Sequence, residues 1–210
     1  MKSQRISKNV IRRLPRYIRH LDLLTCEGVT RVSSSELGKR MSLTASQIRQ
    51  DFNCFGGFGQ QGYGYNVEEL RSKLAAILGM ERSRSAIIIG AGNLGRAIIK
   101  NFRFGACGVT LRAAFDIGDK RETIGDALSF YDIGELENYL RENPTDIAVL
   151  TLPADAADGM AHRLVGAGIR GIWNFTNVEL RGIPENVVVE NVHFSDSLLA
   201  LNYYLSKEEK

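Results

Sequence analysis

The sequence has no apolar run near the roughly 18 residues needed to span a bilayer, and its charged first residues lead into no apolar core. Both absences argue against membrane insertion and export. Cysteine is scarce: Cys26, Cys54 and Cys107 lie far apart and form no C-x-x-C pair for a zinc site or a redox dithiol. We therefore expect a reduced, cytoplasmic protein without a metal site.

Charge is unevenly distributed along the 210 residues. Residues 1–84 carry 15 Lys and Arg against 7 Asp and Glu, whereas residues 85–210 carry 12 against 17. Such a difference indicates a basic first module that meets a polyanion and an acidic second module with another task. The alternative is a merely solvated basic surface.

The first module shows a helix-turn-helix pattern. Apolar residues at three- and four-residue spacing predict a helix over 6–24, in which Pro15 either kinks the helix or marks a helix start. Serines at 33–35 cap a short helix with Leu37 and Met41 inward, and Thr44 caps the next, over 45–54, with Ile48 and Phe52 inward. Helix, short turn and helix in this order are typical of DNA-binding proteins.

Polar residues on the second helix of this pair are the candidates for DNA contacts. Arg49 has the forked donors that match guanine O6 and N7, and Gln47 and Gln50 could read bases or support it. Thr44 and Ser46 could contact phosphate. Each of them could equally belong to a solvated helix face.

A glycine-rich segment follows, in which aromatic residues alternate with glycines over 56–65. It could be a flexible linker, but the alternation favours a short β-hairpin, that is, a wing that lies on the DNA backbone or in the minor groove. Gln60 and Gln61 would then be wing contacts. Residues 67–78 predict a further amphipathic helix.

The second half alternates apolar strands with helices, as a parallel α/β sheet requires. We predict strands at 86–89, 109–116, 147–152, 171–175 and 187–190, and helices at 94–102, 154–165 and 195–205.

The most specific motif is G-x-G-x-x-G at residues 90–95, between a predicted strand and a helix. Its residues are the first candidates for cofactor binding: Gly90, Ala91, Gly92, Asn93, Leu94 and Gly95. Asp116 ends the next strand, 21 residues after Gly95, where a carboxylate accepts from ribose hydroxyls and repels a 2′-phosphate. Asp116 favours NAD(H) over NADP(H), a preference that Lys120 and Arg121 weaken, and its neighbour Ile117 is a further candidate for cofactor binding.

An enzyme would need a proton donor and a substrate lobe. The second half has only His162, expected on a solvated helix face, and His193, either a pocket or a surface residue. We therefore predict no catalytic residues and binding without turnover. Two alternatives stay open: an NAD-dependent oxidoreductase with an appended helical domain, and a CoA-binding module, which residues 151–176 also resemble.

Over essentially its full length the chain resembles the redox-sensing transcriptional repressors of the Rex family. The matching stretches are TASQIRQDF at 44–52, FGGFG at 55–59, GYGY at 62–65, GAGNLG at 90–95, TLP at 151–153, GI at 168–169 with GIWNF at 171–175, and ENV at 190–192.

The resemblance implies a homodimer that binds double-stranded, palindromic operator DNA when NADH is scarce. NADH would close the dimer, misplace the recognition helices and release the operator. By position, Thr151, Leu152 and Pro153 would border the cofactor. Asn174 and Thr176 would lie near its nicotinamide half, and Phe194 close to the ring.

Three positions depart from the family pattern. Relatives commonly carry a basic residue where this chain has Gln50 and Gln61, and some carry an aspartate at the position of His193. Fewer neutralised phosphates and altered switching contacts are therefore expected.

The predicted fold class is α/β: a winged helix-turn-helix joined to a Rossmann-like parallel sheet. We assign residues 1–82 to a winged-helix DNA-binding domain, 83–192 to a Rossmann NAD(H)-binding domain and 193–210 to a C-terminal helix, which the resemblance implies swaps onto the partner.

Overall fold

The computed structural model describes residues 6–58, 63–117 and 128–208. The chain forms two compact units, Met1–Glu81 and Arg82–Lys210. The first unit is helical with one small antiparallel sheet. Its elements are α1 (Lys8–Cys26), β1 (Arg31–Val32), α2 (Ser34–Met41), α3 (Ala45–Asn53), β2 (Tyr65–Asn66) and α4 (Val67–Ile77).

The long helix α1 forms one side of the first unit's core. Its apolar stripe is buried as predicted, with Leu14, Tyr17, Leu21 and Leu24 fully inaccessible. Pro15 lies inside α1, so the helix continues through it, although proline cannot donate a backbone hydrogen bond.

Helices α2 and α3 begin where the capping residues predict. The Ser33 side chain accepts from the amide of Glu36, and the Thr44 side chain accepts from the amide of Gln47. Between the helices Ser42 adopts a left-handed conformation, φ 55°, which turns the chain sharply. The predicted helix-turn-helix is confirmed.

The strand pairing at the glycine-rich segment differs from the expected hairpin. Tyr65–Asn66 pairs antiparallel with Arg31–Val32, a segment before the helix-turn-helix, and not with residues 56–58. A two-residue strand pairs with whichever segment the packed helices place beside it. The alternation of glycines and aromatic residues within 56–65 carries no information on that segment. Gln60 and Gln61 lie outside the described residues.

The second unit is built around a six-stranded parallel sheet of order β5-β4-β3-β6-β7-β8. Its strands are β3 (Arg84–Ile89), β4 (Val109–Asp116), β5 (Ser129–Asp132), β6 (Ile147–Leu150), β7 (Gly171–Asn174) and β8 (Val188–Asn191). Its helices are α5 (Asn93–Asn101), α6 (Leu136–Glu142), α7 (Ala154–Gly166) and α8 (Phe194–Glu208).

This strand order is that of the doubly wound dinucleotide fold, whose ligands bind at the carboxyl ends of the strands where the order reverses. Here the reversal lies between β3 and β6. The two central strands are fully buried at Ile87–Ile89 and Ala148–Leu150, as strands covered on both faces must be. The predicted fold class is confirmed, whereas β5 and α6 were not predicted.

Helix α8 leaves its apolar residues uncovered. Its Leu and Tyr side chains are each more than half exposed: Leu198, Leu199, Leu201, Tyr203, Tyr204 and Leu205. In the described part of the chain, no helix combines the length and apolar character needed to cross a membrane.

Candidate nucleotide site and recognition helix

The loop after β3 is held tightly by two of its glycines. Gly90 has φ +96°, and a Cβ there would lie 2.7 Å from the Thr151 carbonyl oxygen. A Cβ on Gly95 would lie 2.0 Å from the carbonyl oxygen of Gly90, so α5 would have to shift to admit one. These two positions therefore favour glycine, Gly90 for the turn and Gly95 for the approach of α5 to β3.

Gly92 is different, because a Cβ there would meet nothing within 4 Å. It is the N-cap of α5 and, having no side chain, makes no capping bond to the first amides of the helix. Exposed Asn93 and half-buried Leu94 follow, while Ala91 is buried beneath. This open helix start is suited to a pyrophosphate, which needs backbone donors and close approach.

The carboxylate of Asp116 lies beside the loop, as its position after β4 predicts. One oxygen accepts from the Ala91 amide at 3.1 Å and the other from the Ile117 amide at 2.7 Å. The carboxylate is half-buried and keeps acceptor capacity for further donors. Ile117 is 77% exposed among the described residues.

Residues after β6 form the other wall of the loop. The Thr151 hydroxyl donates to the Gly90 carbonyl at 2.6 Å and approaches that of Ile89 at 3.1 Å. The Leu152 side chain would lie 3.1 Å from a Cβ on Gly90, and exposed Pro153 caps α7. Thr151 therefore ties β6 to the glycine loop.

Asn174 and Thr176 are buried, and other protein groups occupy their hydrogen-bonding atoms. Asn174 Oδ1 accepts from the amide and hydroxyl of Thr176, and Asn174 Nδ2 donates to Val178 O and to Asn191 Oδ1. The structure brings both residues to the same sheet edge as the glycine loop. There they shape the end of β7 and β8.

The root of α8 lies against this edge. His193 Nε2 is 3.2 Å from Glu179 Oε1, so His193 is half-buried and paired rather than free. Phe194 is 54% exposed and its ring centroid is 6.1 Å from that of Phe175, which in turn contacts Trp173 at 4.6 Å. Phe194 therefore presents a partly open aromatic face.

On the recognition helix α3 the predicted residues separate into two groups. Thr44, Ser46, Arg49 and Gln50 are exposed, and Arg49 Nη1 donates to the Ser34 hydroxyl at 3.1 Å. Gln47 is half-buried, and its Nε2 donates to Asp51 Oδ1 at 2.9 Å. Arg49 is thus tethered to the first turn of α2 and still faces solvent.

Sequence reasoning missed Asp51, the one charged residue that is fully buried among the described residues. Its carboxylate accepts from Arg13 and Tyr17 of α1 and from Gln47. Burial by itself raises the pKa of Asp51, but the three donors outweigh it and the net pKa is lowered. The sequence does contain a signal for this residue, because Asp51 lies between Ile48 and Phe52, which face the core. A carboxylate buried at such a position needs a cationic partner.

Two further features describe the surface of the first unit. Partial burial is the main cause that lowers the pKa of His20, and the guanidinium groups of Arg16, Arg19 and Arg40 lower it further. Phe58, at the start of the glycine-rich segment, packs edge-on against Phe52 at 5.4 Å. Phe58 therefore packs against α3.

Comparison with family models supports both units. Residues 5–53 match the family described as "Putative DNA-binding protein N-terminus", and residues 81–178 match the family described as "CoA binding domain".

Curated relatives match almost the whole chain. A redox-sensing transcriptional repressor Rex from Caldanaerobacter subterraneus subsp. tengcongensis is 50% identical over 206 residues, 97% of this chain and 91% of that protein. The Rex of Clostridium tetani is 46% identical over 211 residues, 100% of this chain and 99% of that protein.

Solved structures agree with these matches. The crystal structure of RSP in complex with β-NAD⁺ and operator DNA has a TM-score of 0.89 at 49% identity, covering 97% of this chain and 94% of that one. RSP in complex with β-NADH gives 0.89 at 45%, covering 98% and 97%. The chain belongs to the Rex family of redox-sensing transcriptional repressors.

Proposed function

We propose that this chain is a homodimeric, cytoplasmic repressor that binds operator DNA and releases it when NADH binds. The observation that carries the proposal is the helix start at Gly92, which the described residues leave open, in one polypeptide with a basic helix-turn-helix. The proposed domains are 1–82 for DNA, 83–192 for NAD(H) and 193–210 for the swapped helix.

The residues at the sheet edge fit NAD(H). The pyrophosphate would meet the amides at the start of α5, and Asp116, pinned by the Ala91 amide, would accept from the adenosine ribose hydroxyls. Thr151, Leu152 and Pro153 would border the cofactor, with Ile117 against the adenine.

Phe194 gives a physical reason for preferring the reduced nucleotide. When bound, the cofactor supplies either a cationic nicotinamide or a neutral dihydronicotinamide. An apolar ring face at Phe194 favours the neutral form, because burial of the cation costs desolvation energy. A ligand shifts a two-state equilibrium only by its difference in affinity for the two states, so this preference sets the strength of the switch.

DNA would be bound by the exposed side of α3. Arg49 is the candidate for a guanine edge, with Gln47 and Gln50 beside it and Thr44 and Ser46 at phosphates. Gln60 and Gln61, outside the described residues, would belong to the wing. The excess of 15 Lys and Arg over 7 Asp and Glu in residues 1–84 favours a polyanion on this unit.

The dimer proposal comes from the exposed apolar side chains of α8. Six Leu and Tyr side chains that are more than half exposed on one helix are unusual for a monomer, and a second copy of the chain would cover them. Helix exchange between two identical subunits is a low-cost way to do so.

The decisive test is a fluorescence-anisotropy titration of the full chain on the operator duplex that was crystallised with RSP, with and without NADH. We expect tight binding that NADH reverses and that added NAD⁺ partly restores. Gly92→Ala tests the nucleotide site in the same assay. Because none of the described atoms lies within 4 Å of a Cβ at position 92, this variant should keep the fold and DNA binding but lose the response to NADH. Equal operator affinity with and without saturating NADH would overturn the proposal.

A CoA ligand is the second candidate, because residues 81–178 match a CoA-binding family model. CoA shares the adenosine diphosphate group that this loop suits but carries a 3′-phosphate on its ribose, close to the carboxylate of Asp116. Competition calorimetry should show displacement of bound CoA by NADH and no displacement of NADH by equimolar CoA.

A further inference from the structure

The buried carboxylate of Asp51 is fully saturated by hydrogen bonds. Arg13 donates Nε to Oδ2 and Nη2 to Oδ1, both at 2.7 Å, the Tyr17 hydroxyl donates to Oδ2 at 2.8 Å, and Gln47 Nε2 donates to Oδ1 at 2.9 Å. A carboxylate offers about four acceptor positions, so none is left over. Tyr17 and Asp51 are inaccessible to solvent.

This network joins α1 to the recognition helix with a defined geometry. The planar fork of Arg13 holds both carboxylate oxygens, which fixes their plane as well as their distance. An apolar contact between the same helices, such as Tyr17 against Phe52 at 4.9 Å, allows sliding that the bidentate pair does not. Asp51 therefore sets the rotation of α3 about its axis.

The network also fixes the amide of Gln47. Because the pKa of Asp51 is lowered, its carboxylate is ionised and can only accept, so the –NH₂ group and not Oε1 must face it. The backbone of Gln47 is held too, since its amide donates to the Thr44 hydroxyl at 3.1 Å. A free glutamine can present either end of its amide, whereas Gln47 keeps Oε1 and one N–H for the half-exposed side.

We propose that Asp51 is a positioning residue for operator recognition, which locks the Gln47 amide so that Gln47 selects an adenine at one position of each half-site. Adenine presents an N6 donor beside an N7 acceptor, which match Oε1 and the remaining N–H, whereas guanine presents two acceptors. The inference rests on the proposed function, since it requires that α3 enters the major groove.

The first experiment measures the free protein and needs no DNA. Side-chain ¹⁵N–{¹H} heteronuclear NOEs of the full chain should be high for the Gln47 amide and low for that of Gln50, which is exposed on the same helix. Gln47→Ala and Gln50→Ala assign the two signals. Equally low values for both amides would overturn the proposal without touching the proposed function.

The second experiment compares variants on a set of operator duplexes with one base pair changed at a time. For the wild type we expect one position per half-site at which guanine for adenine weakens binding roughly tenfold. In Asp51→Asn an uncharged amide lets Gln47 turn either way, so this discrimination should fall to about twofold or less.

Two controls separate positioning from stability. Tyr17→Phe removes one hydrogen bond to the same carboxylate but does not contact Gln47, so it should keep the tenfold discrimination even if it lowers the melting temperature. Gln47→Ala should lose the discrimination at that position only. If Asp51→Asn keeps full discrimination, or fails at every position alike, the inference is wrong. Absence of wild-type operator binding would instead overturn the proposed function and the inference together.

Discussion

The two units differ in how completely their own residues cover apolar side chains and pair polar groups. In Met1–Glu81 the apolar stripe of α1 is covered, and even the buried Asp51 has donors on all sides. Among the described residues of Arg82–Lys210 two surfaces remain open: the start of α5 at Gly92 and the exposed leucines of α8. The first unit therefore covers its own core, whereas the second has surfaces that we propose a ligand and a partner chain cover.

The largest effect should come from charging α8. In Leu198→Asp with Leu201→Asp, two side chains that we place in the dimer interface become charged in each subunit. Dimerisation should weaken by more than about 10,000-fold, since each of the four leucines lost per dimer contributes about 1.5–3 kcal/mol. Sedimentation-velocity ultracentrifugation measures the change. Leu198→Met with Leu201→Met should stay dimeric, and an unchanged dimer in the aspartate variant would remove the proposed role of α8.

The next largest effect should come from a cavity in the core of the first unit. Leu21→Ala should lower the free energy of unfolding by about 2–5 kcal/mol, because Leu21 is fully buried. Its neighbour Leu23 is 54% exposed, so Leu23→Ala should cost about 0.5 kcal/mol or less. Urea denaturation of the two variants checks this, and similar losses for both would contradict the packing of α1.

Gly95→Ala should have a smaller effect on stability, about 1–3 kcal/mol, because its Cβ collides with the Gly90 carbonyl and α5 must shift. Gly92→Ala should leave the stability of the unliganded protein unchanged. Thermal denaturation with and without NADH separates the two: only Gly95→Ala should melt earlier without ligand, while both should lose stabilisation by NADH. Equal melting of both without ligand would count against the described loop.

The smallest expected effect is the change in the stability contribution of Asp51 at low pH. Because the pKa of Asp51 is lowered on folding, its ionised form contributes stability above the ordinary value of 3.8, and that contribution is lost as the pH falls through the lower folded value. The stability difference between wild type and Asp51→Asn should therefore be constant from pH 7 to about pH 5 and shrink below about pH 4. Denaturant midpoints at several pH values test this, and a difference independent of pH would contradict it.

Features that depend on short-range pattern were predictable. The caps at Ser33 and Thr44 and the buried stripe of α1 follow from local spacing, as does the strand, loop and helix around Gly90–Gly95. The position of Asp116 beside the loop followed from its place at the end of a parallel strand.

Features that depend on long-range packing were not. The strand β5 has four residues and the helix α6 seven, too short for periodicity to show. The pairing of Tyr65–Asn66 with Arg31–Val32 and the ion pair of Asp51 with Arg13 join segments more than 30 residues apart. Local spacing carries no information on such partners, so the orientation of Gln47 could not be foreseen either.

The connection between β8 and α8 has a mechanical consequence. Only two residues separate Asn191, the last residue of the strand, from Phe194, the first of the helix, so the junction has almost no slack. At 1.5 Å per residue the 15 residues of α8 form a lever about 22 Å long. A tilt of α8 by about 5° at this junction would displace its far end by about 2 Å. A small movement of Phe194 would therefore produce a larger movement at the C-terminal end of the helix.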